Sequence, residues 1–260
     1  MGRLRFFWEF GWLVLSFFIV LGAWLAAGWA TAQAQSQFQP QAYGPGWNPY
    51  QQMSAQPVAN KPRTVVVGVD LSQSNPLVRD DDFARRVAER IRPVIASLAP
   101  RSRVLLRSFG SYNGEANTSI TLDIVIAPKT AKAEDIAGIV TQVIATIPAR
   151  IRAGKLQAQP YTNIVPFLQN MSRVLSCARE ETYVILATDG VEDSQLTNLK
   201  NRNATLPQLS NAPFAGCQEM QILGIGRGLN SPRDTERLIV LWREWAARAG
   251  FRNFLALNDW

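Results

Sequence analysis

Residues 64–74 read TVVVGVDLSQS, and this stretch decides the fold. Thr64 to Val69 is a short run rich in β-branched residues that ends in Asp70, the pattern of a strand buried on both faces. From Asp70 a carboxylate and two hydroxyls recur at every second residue, as Asp70, Ser72 and Ser74. In an extended loop that spacing aims all three oxygens the same way.

The chain downstream supplies covering helices and further strands. Phe83, Val87, Ile91, Val94 and Leu98 recur at helical spacing, with Pro93 expected to kink the stretch. Val104 to Phe109 and Ser119 to Ile126 read as two strands around the turn-rich SYNGEAN segment, a hairpin. A second helix runs through Ile136, Ile139, Val140, Val143, Ile144 and Ile147 and is expected to end before Pro148. A third follows Ile164, Phe167, Leu168, Met171, Val174 and Leu175. Strands at Tyr183 to Ala187 and Met220 to Ile225 come next, then a helix through Leu238, Leu241, Trp242 and Trp245 that stops at Gly250, and a closing strand at Phe254 to Leu257. The order predicts an α/β domain with a mainly parallel six-stranded sheet, one antiparallel edge strand and helices on both faces. Ligand sites in such sheets collect at the carboxyl ends of the strands.

Composition excludes much of the familiar chemistry. The 260 residues contain no histidine and two cysteines, which removes Ser-His-Asp and Cys-His catalysis, His-bearing zinc sites, and four-cysteine metal or iron–sulfur centres within one chain. Any metal must be held by oxygen. Neither a P-loop nor a G-x-S-x-G nucleophile elbow is present.

The amino-terminal region reads as a membrane address. Residues 10–32 (FGWLVLSFFIVLGAWLAAGWATA) carry no charge, enough length to cross a hydrocarbon layer of ~30 Å at ~1.5 Å per residue. Arg3 and Arg5 precede the run and no basic residue follows until Lys61, so the positive-inside rule sends everything after Ala32 out of the cytoplasm. The expectation is a single-pass anchor in a bacterial inner membrane, supported by Trp8, Trp12, Trp24 and Trp29 at the interfaces. The alternative is a signal peptide cut at Ala30-Thr31-Ala32 or Ala32-Gln33-Ala34. Residues 33–62, rich in Gln and Pro, read as a disordered linker, either a plain spacer or one whose Trp47 and Tyr50 dock on a partner. The domains expected are therefore 1–32, 33–62 and 63–260.

Oxygen donors gather at three strand ends or adjoining loops. Besides Asp70, Ser72 and Ser74 there is Thr162, ahead of the third helix, and Asp189 in Thr188-Asp189-Gly190. Two carboxylates with several neutral hydroxyls suit Mg2+ or Mn2+, with Ca2+ as a further option. A cation held largely by neutral groups stays electrophilic towards an outside anion, such as a Glu or Asp carboxylate on a protein partner.

With these residues in hand, the domain resembles the von Willebrand factor A (vWA) family with a metal-ion-dependent adhesion site. The family's D-x-S-x-S is matched by Asp70, Ser72 and Ser74, its isolated threonine by Thr162 in YTNIVPFL, and its T-D-G aspartate by Asp189 in VILATDG. The resemblance runs from about Arg63 to Trp260. In two places the chain departs from the family: Asn75-Pro76 follows Ser74, and Pro160-Tyr161 replaces the common Gly before the threonine. The resemblance implies Ser72, Ser74 and Thr162 as direct ligands, with Asp70 and Asp189 direct or acting through water. It also implies non-catalytic, metal-mediated protein binding in envelope assembly, adhesion or a secretion or transfer apparatus. Two alternatives stand beside it: a structural envelope component in which metal only stabilises the fold, and a metal-dependent hydrolase using Asp70.

Other features carry weaker expectations. Asp80, Asp81 and Asp82 read as the start of the first helix, where carboxylates suit the positive end of the helix dipole. The polar segment 191–216 is the best candidate for partner specificity, with Asn198 and Lys200 as rim residues, beside the alternative of a simple surface insertion. Arg227 in GIGRG and Arg233 beyond it, at the same edge, are further rim candidates, with solvated surface arginines as the default reading. Cys177 and Cys217 precede consecutive strands, and in an exported domain they can form a disulfide or remain two buried thiols. A net charge of +7 suits acidic partners, while export argues against nucleic acid.

Overall fold

The computed structural model describes residues 61–111 and 118–260. The expected anchor, almost all of the linker and most of the SYNGEAN turn lie outside the described residues. Among the described residues no helix is long and apolar enough to cross a membrane.

Six strands form one sheet: β1 Arg63–Asp70, β2 Arg103–Phe109, β3 Thr121–Val125, β4 Glu181–Ala187, β5 Glu219–Leu223 and β6 Asn253–Leu257. Their order is β3-β2-β1-β4-β5-β6, with β2–β3 antiparallel and every other pair parallel. The helices are α1 Asp81–Ala96, α2 Ala133–Ala145, α3 Ile147–Arg152, α4 Ile164–Ser172 and α5 Pro232–Ala249, with a 3-10 turn at Pro76–Val78. The mixed α/β architecture read from the alternation of periods is therefore present.

β1 is central, and its alternating side chains divide the core. Val65, Val67 and Val69 face one layer with Phe83, Val87 and Ile91 of α1 and Ile136, Val140 and Ile144 of α2. Val66 faces the other, with Ile164 and Leu168 of α4 and Trp242 and Trp245 of α5. Each fully buried valine contributes about 1.5–3 kcal/mol. Gly68 falls where α4 comes closest: a Cβ there would sit 2.8 Å from Phe167 Cε1 and 2.7 Å from Leu186 Cδ2. The glycine in VVVGVD is thus a packing requirement, which lets the helix behind Thr162 lie tightly on the strand that carries Asp70.

Local differences from the sequence expectations have simple causes. α2 ends at Ala145, before Pro148 as expected, but Ile147 belongs with Pro148 to the first turn of the short α3, where a missing N–H costs nothing. α4 stops at Ser172, short of the expected Leu175, and Val174 beyond it is half exposed. β5 ends at Leu223 because Gly224 adopts φ 105°, outside strand geometry. Asp80 caps α1, its Oδ1 accepting from Phe83 N at 2.9 Å, so the acidic triplet starts the helix as expected.

At the amino edge of the sheet, Cys177 and Cys217 are disulfide-bonded across a sequence separation of 40.

Candidate metal centre

Asp70 ends β1, and Asp189 follows the neighbouring β4 after Thr188. Parallel pairing, Val69 opposite Ala187, brings both carboxylates to the same carboxyl edge, with Asp70 level with Thr188 and Asp189 one residue beyond. Asp70 is fully buried and Asp189 nearly so. Asp70 Oδ1 accepts from Ser72 N at 2.8 Å and Oδ2 from the Thr188 hydroxyl at 2.7 Å. Asp189 Oδ1 accepts from Val191 N at 2.9 Å, and its carboxylate also takes a bond from the Ser74 hydroxyl. The hydroxyl oxygens of Ser72 and Ser74 lie 3.3 Å apart. The every-second-residue spacing of D-x-S-x-S does bring the three side chains to one place.

Burial pushes the Asp70 carboxyl well above the ordinary carboxylate range, and the charge of Asp189 adds to the push. Burial raises Asp189 as well, against the pull of the Val191 amide, the Ser74 hydroxyl and the cations Lys200 and Arg79. Both cations are exposed, and no Lys or Arg is among the buried residues described. Two buried, interacting carboxylates thus have hydroxyls, amides and the exposed Lys200 and Arg79 to offset them.

Thr162 reaches the same place through backbone stitching. Gln73 N donates to Gln159 O at 2.8 Å and Gln159 N to Leu71 O at 2.7 Å, so segment 159–162 lies along the Ser72 loop. Thr162 and Asp193 then exchange both backbone bonds, Thr162 N to Asp193 O at 3.1 Å and Asp193 N to Thr162 O at 2.9 Å. Thr162 itself is buried. All five sequence-assigned oxygen residues therefore border one region.

The turn at Asp189-Gly190 is fixed from two sides. Gly226 N donates to Asp189 O at 2.7 Å, and the Trp242 indole N–H donates to Gly190 O at 2.8 Å. Gly190 has φ 75°, and a Cβ there would lie 3.1 Å from Ile225 Cγ1, so the turn requires glycine. The GIGRG segment acts here as the strand exit that clamps the aspartate turn.

The rim residues divide. Asn198 Nδ2 and Lys200 Nζ both donate to the Asp193 carboxylate, at 2.9 and 2.6 Å, and the charge of Lys200 is felt at Asp189. Arg227 instead pairs with Asp259 at 3.0 Å and stacks over Phe83, while Arg233 stands exposed in the first turn of α5. An open cleft of about 820 Å³ beside the site is lined by Pro76, Arg79, Arg227, Asn230, Glu236 and Asn258, among others.

Three contributors had no sequence signal strong enough to single them out. Thr188 orients Asp70. Asn75, a departure from the family pattern, ties the two strand ends together by donating to Asp70 O at 2.8 Å and Ala187 O at 3.2 Å. Glu192 is fully buried, and its Oε2 accepts from Ile164 N at 2.7 Å and Val165 N at 3.0 Å at the start of α4. Burial raises Glu192 to about 7, against the Ser194 hydroxyl and the two amides.

Among the described residues no group of three or more His, Cys, Asp or Glu side chains is placed to hold a metal. The donor set is two carboxylates plus the hydroxyls of Ser72, Ser74 and Thr162, oxygen throughout. That chemistry fits a hard cation, and the unbalanced negative charge at Asp70 and Asp189 is what such a cation would offset.

No family model and no curated protein sequence matches the chain. Among solved structures, it is similar to the pilus adhesin SpaC of Lactobacillus rhamnosus GG, at 14% identity and TM-score 0.42, over 76% of this chain and 28% of SpaC. It is also similar to the human COPII-coat protein Sec24c, at 14% identity and TM-score 0.41, over 77% of this chain and 30% of that one. The chain spans less than a third of either protein, and neither likeness assigns a function.

Proposed function

We propose that residues 63–260 are a vWA-like domain that holds Mg2+ or Mn2+ at Asp70, Ser72, Ser74, Thr162 and Asp189, and binds a protein partner through it. The single observation that carries this reading is the pair of buried carboxylates on adjacent strand ends, ringed by hydroxyls, without a buried Lys or Arg among the described residues. A structural charge pair would place a cation beside them, because a buried ion without a partner is strongly destabilising.

A divalent cation held there would offer an electrophilic position to a carboxylate from outside. This chain's residues do the rest. Asp70 and Asp189 supply the negative charge, the backbone amides of Ser72 and Val191 orient them, and Ser72, Ser74 and Thr162 add neutral oxygens that leave the cation its pull. The reading is one of binding without catalysis.

The reading extends to location. The charge-free run at 10–32 and the Cys177–Cys217 disulfide both favour a tethered domain outside the cytoplasm, since disulfides persist in oxidising compartments.

Calorimetric titration of the full chain with Mg2+ and with Mn2+, beside Ser72→Ala and Asp189→Ala proteins checked for folding, tests it. Saturable binding by the wild type, lost in both variants, is the expected result. A folded wild type that takes up neither ion overturns the reading.

A further inference from the structure

The most unusual charge outside the metal-binding residues is Glu192. It is fully buried, three residues past Asp189. Its Oε2 accepts from the first two amides of α4. The helix lacks the usual means of ending itself: Asn163, at its N-cap, makes no side-chain cap bond, and there is no acidic residue in the first turn. Asn163 is turned away, with its Nδ2 donating to Gly110 O at 2.6 Å. A local Ser or Asp cap would serve an ordinary helix at far smaller desolvation cost. Here the cap is brought in trans, from the loop that carries Asp189.

The hydrogen bonds of the Thr162 segment explain what that achieves. Thr162 bonds through both backbone groups to Asp193, and Ile164 and Val165 bond to Glu192. The adjacent residues 192 and 193 therefore grip the chain on both sides of the Thr162–Asn163 step. Thr162 makes no side-chain hydrogen bond to Asp189, so the grip ties the Thr162 segment directly to the loop that carries Asp189.

We infer that Glu192 is a positioning residue, holding the amino end of α4 so that Thr162 stands in register with Asp189 and the D-x-S-x-S loop for metal binding. This rests on the proposed function and deepens it, because it makes the geometry of the site depend on a side chain that contributes no ligand oxygen. The anion matters as well as the reach: a carboxylate bonds two amides at a helix start more strongly than a neutral carbonyl does.

The test is Glu192→Gln, isosteric and uncharged, in the full chain. Mn2+ affinity is measured by calorimetry, and amide hydrogen exchange at Thr162 to Val165 is measured without metal. Glu219→Gln is the control, since it removes another largely buried carboxylate at the opposite, amino edge of the sheet. The expected result is Mn2+ binding about tenfold weaker in Glu192→Gln, the loss that one hydrogen bond's worth of positioning represents, with faster exchange at Ile164 and Val165. The control should bind as the wild type does. Should Glu192→Gln fail to fold, Glu192→Asp keeps the charge but shortens the reach, and weakened Mn2+ binding is again expected. Wild-type affinity in a folded Glu192 variant overturns the inference and leaves the proposed function standing. Absence of both Mn2+ and Mg2+ binding by the wild type overturns the proposed function, and this role with it.

Discussion

The two edges of the sheet handle buried polarity in opposite ways. At the amino edge, Glu181 pairs with Arg63 at 3.2 Å and Lys61 at 3.4 Å, and Arg103 forks onto Asp123 at 2.9 and 2.7 Å. The loops there are closed by the Cys177–Cys217 disulfide. At the carboxyl edge, Asp70, Asp189 and Glu192 are buried together with Ser72, Asn75, Thr162, Asn163 and Thr188. The first edge matches charge with charge near solvent, where pairing is cheap and contributes little. The second gathers carboxylates in a low-dielectric interior, where each ionised group costs stability until something positive arrives. An edge that is costly to fold in this way is what the proposed metal site requires.

The sharpest way to break this contrast is Asp70→Asn. It keeps the shape and removes one of the two interacting charges, so Mg2+ binding should fall by at least about a thousandfold, about 4 kcal/mol. The metal-free protein should melt no lower than wild type near neutral pH, because a buried charge has been relieved. A clear drop in metal-free melting temperature, with Mg2+ affinity unchanged, would make Asp70 a scaffold residue and erase the difference between the edges.

Removing the disulfide tests the other edge. Cys177→Ser with Cys217→Ser should cost about 2–4 kcal/mol in denaturant unfolding, given the long loop it closes, while Mg2+ affinity stays at the wild-type value. A large affinity loss would show that the two edges are coupled.

A smaller effect concerns pH. Glu192 has an ordinary value of 4.5 and stands at about 7 in the fold, so between these values the folded protein keeps a proton that the unfolded chain has lost. Its contribution is fullest below about pH 4.5, falls as the pH rises to about 7, and is then flat. Asp70 and Asp189 act in the same direction, because their values are also raised. Melting of the metal-free protein across this range should show declining stability with rising pH, flattened in Glu192→Gln and offset by added Mg2+. Stability that climbs through the same range would contradict the burial of unbalanced carboxylates.

The smallest expected change is at the rim. Lys200→Ala removes an exposed cation whose field reaches Asp189, and should tighten Mg2+ binding by no more than about threefold. At the amino edge, Lys61→Ala should alter stability by less than about 1 kcal/mol, as exposed pairs do.

Much of the architecture was legible because the signals are local. The continuous β-branched run in TVVVGV and helical spacing in α1, α4 and α5 depend only on near neighbours along the chain. The misjudged helix end, at Ser172 in place of Leu175, is a place where apolar spacing continues but the helix does not. The five oxygen-bearing residues were legible for a similar reason: D-x-S-x-S is a local spacing, and Thr162 and Asp189 stand beside recognisable element boundaries.

What the sequence determined by itself is the set of elements, their order and the oxygen donors offered at the strand ends, since each follows from side chains a few residues apart. Tertiary structure alone decided which groups meet. Thr188 reaches Asp70 across 118 residues, Asn75 reaches Ala187 across 112, and Glu192 reaches Ile164 across 28. Those bonds exist only once parallel register has set β1 beside β4 and α4 has closed against Gly68, and no local period encodes a contact that depends on how distant strands align.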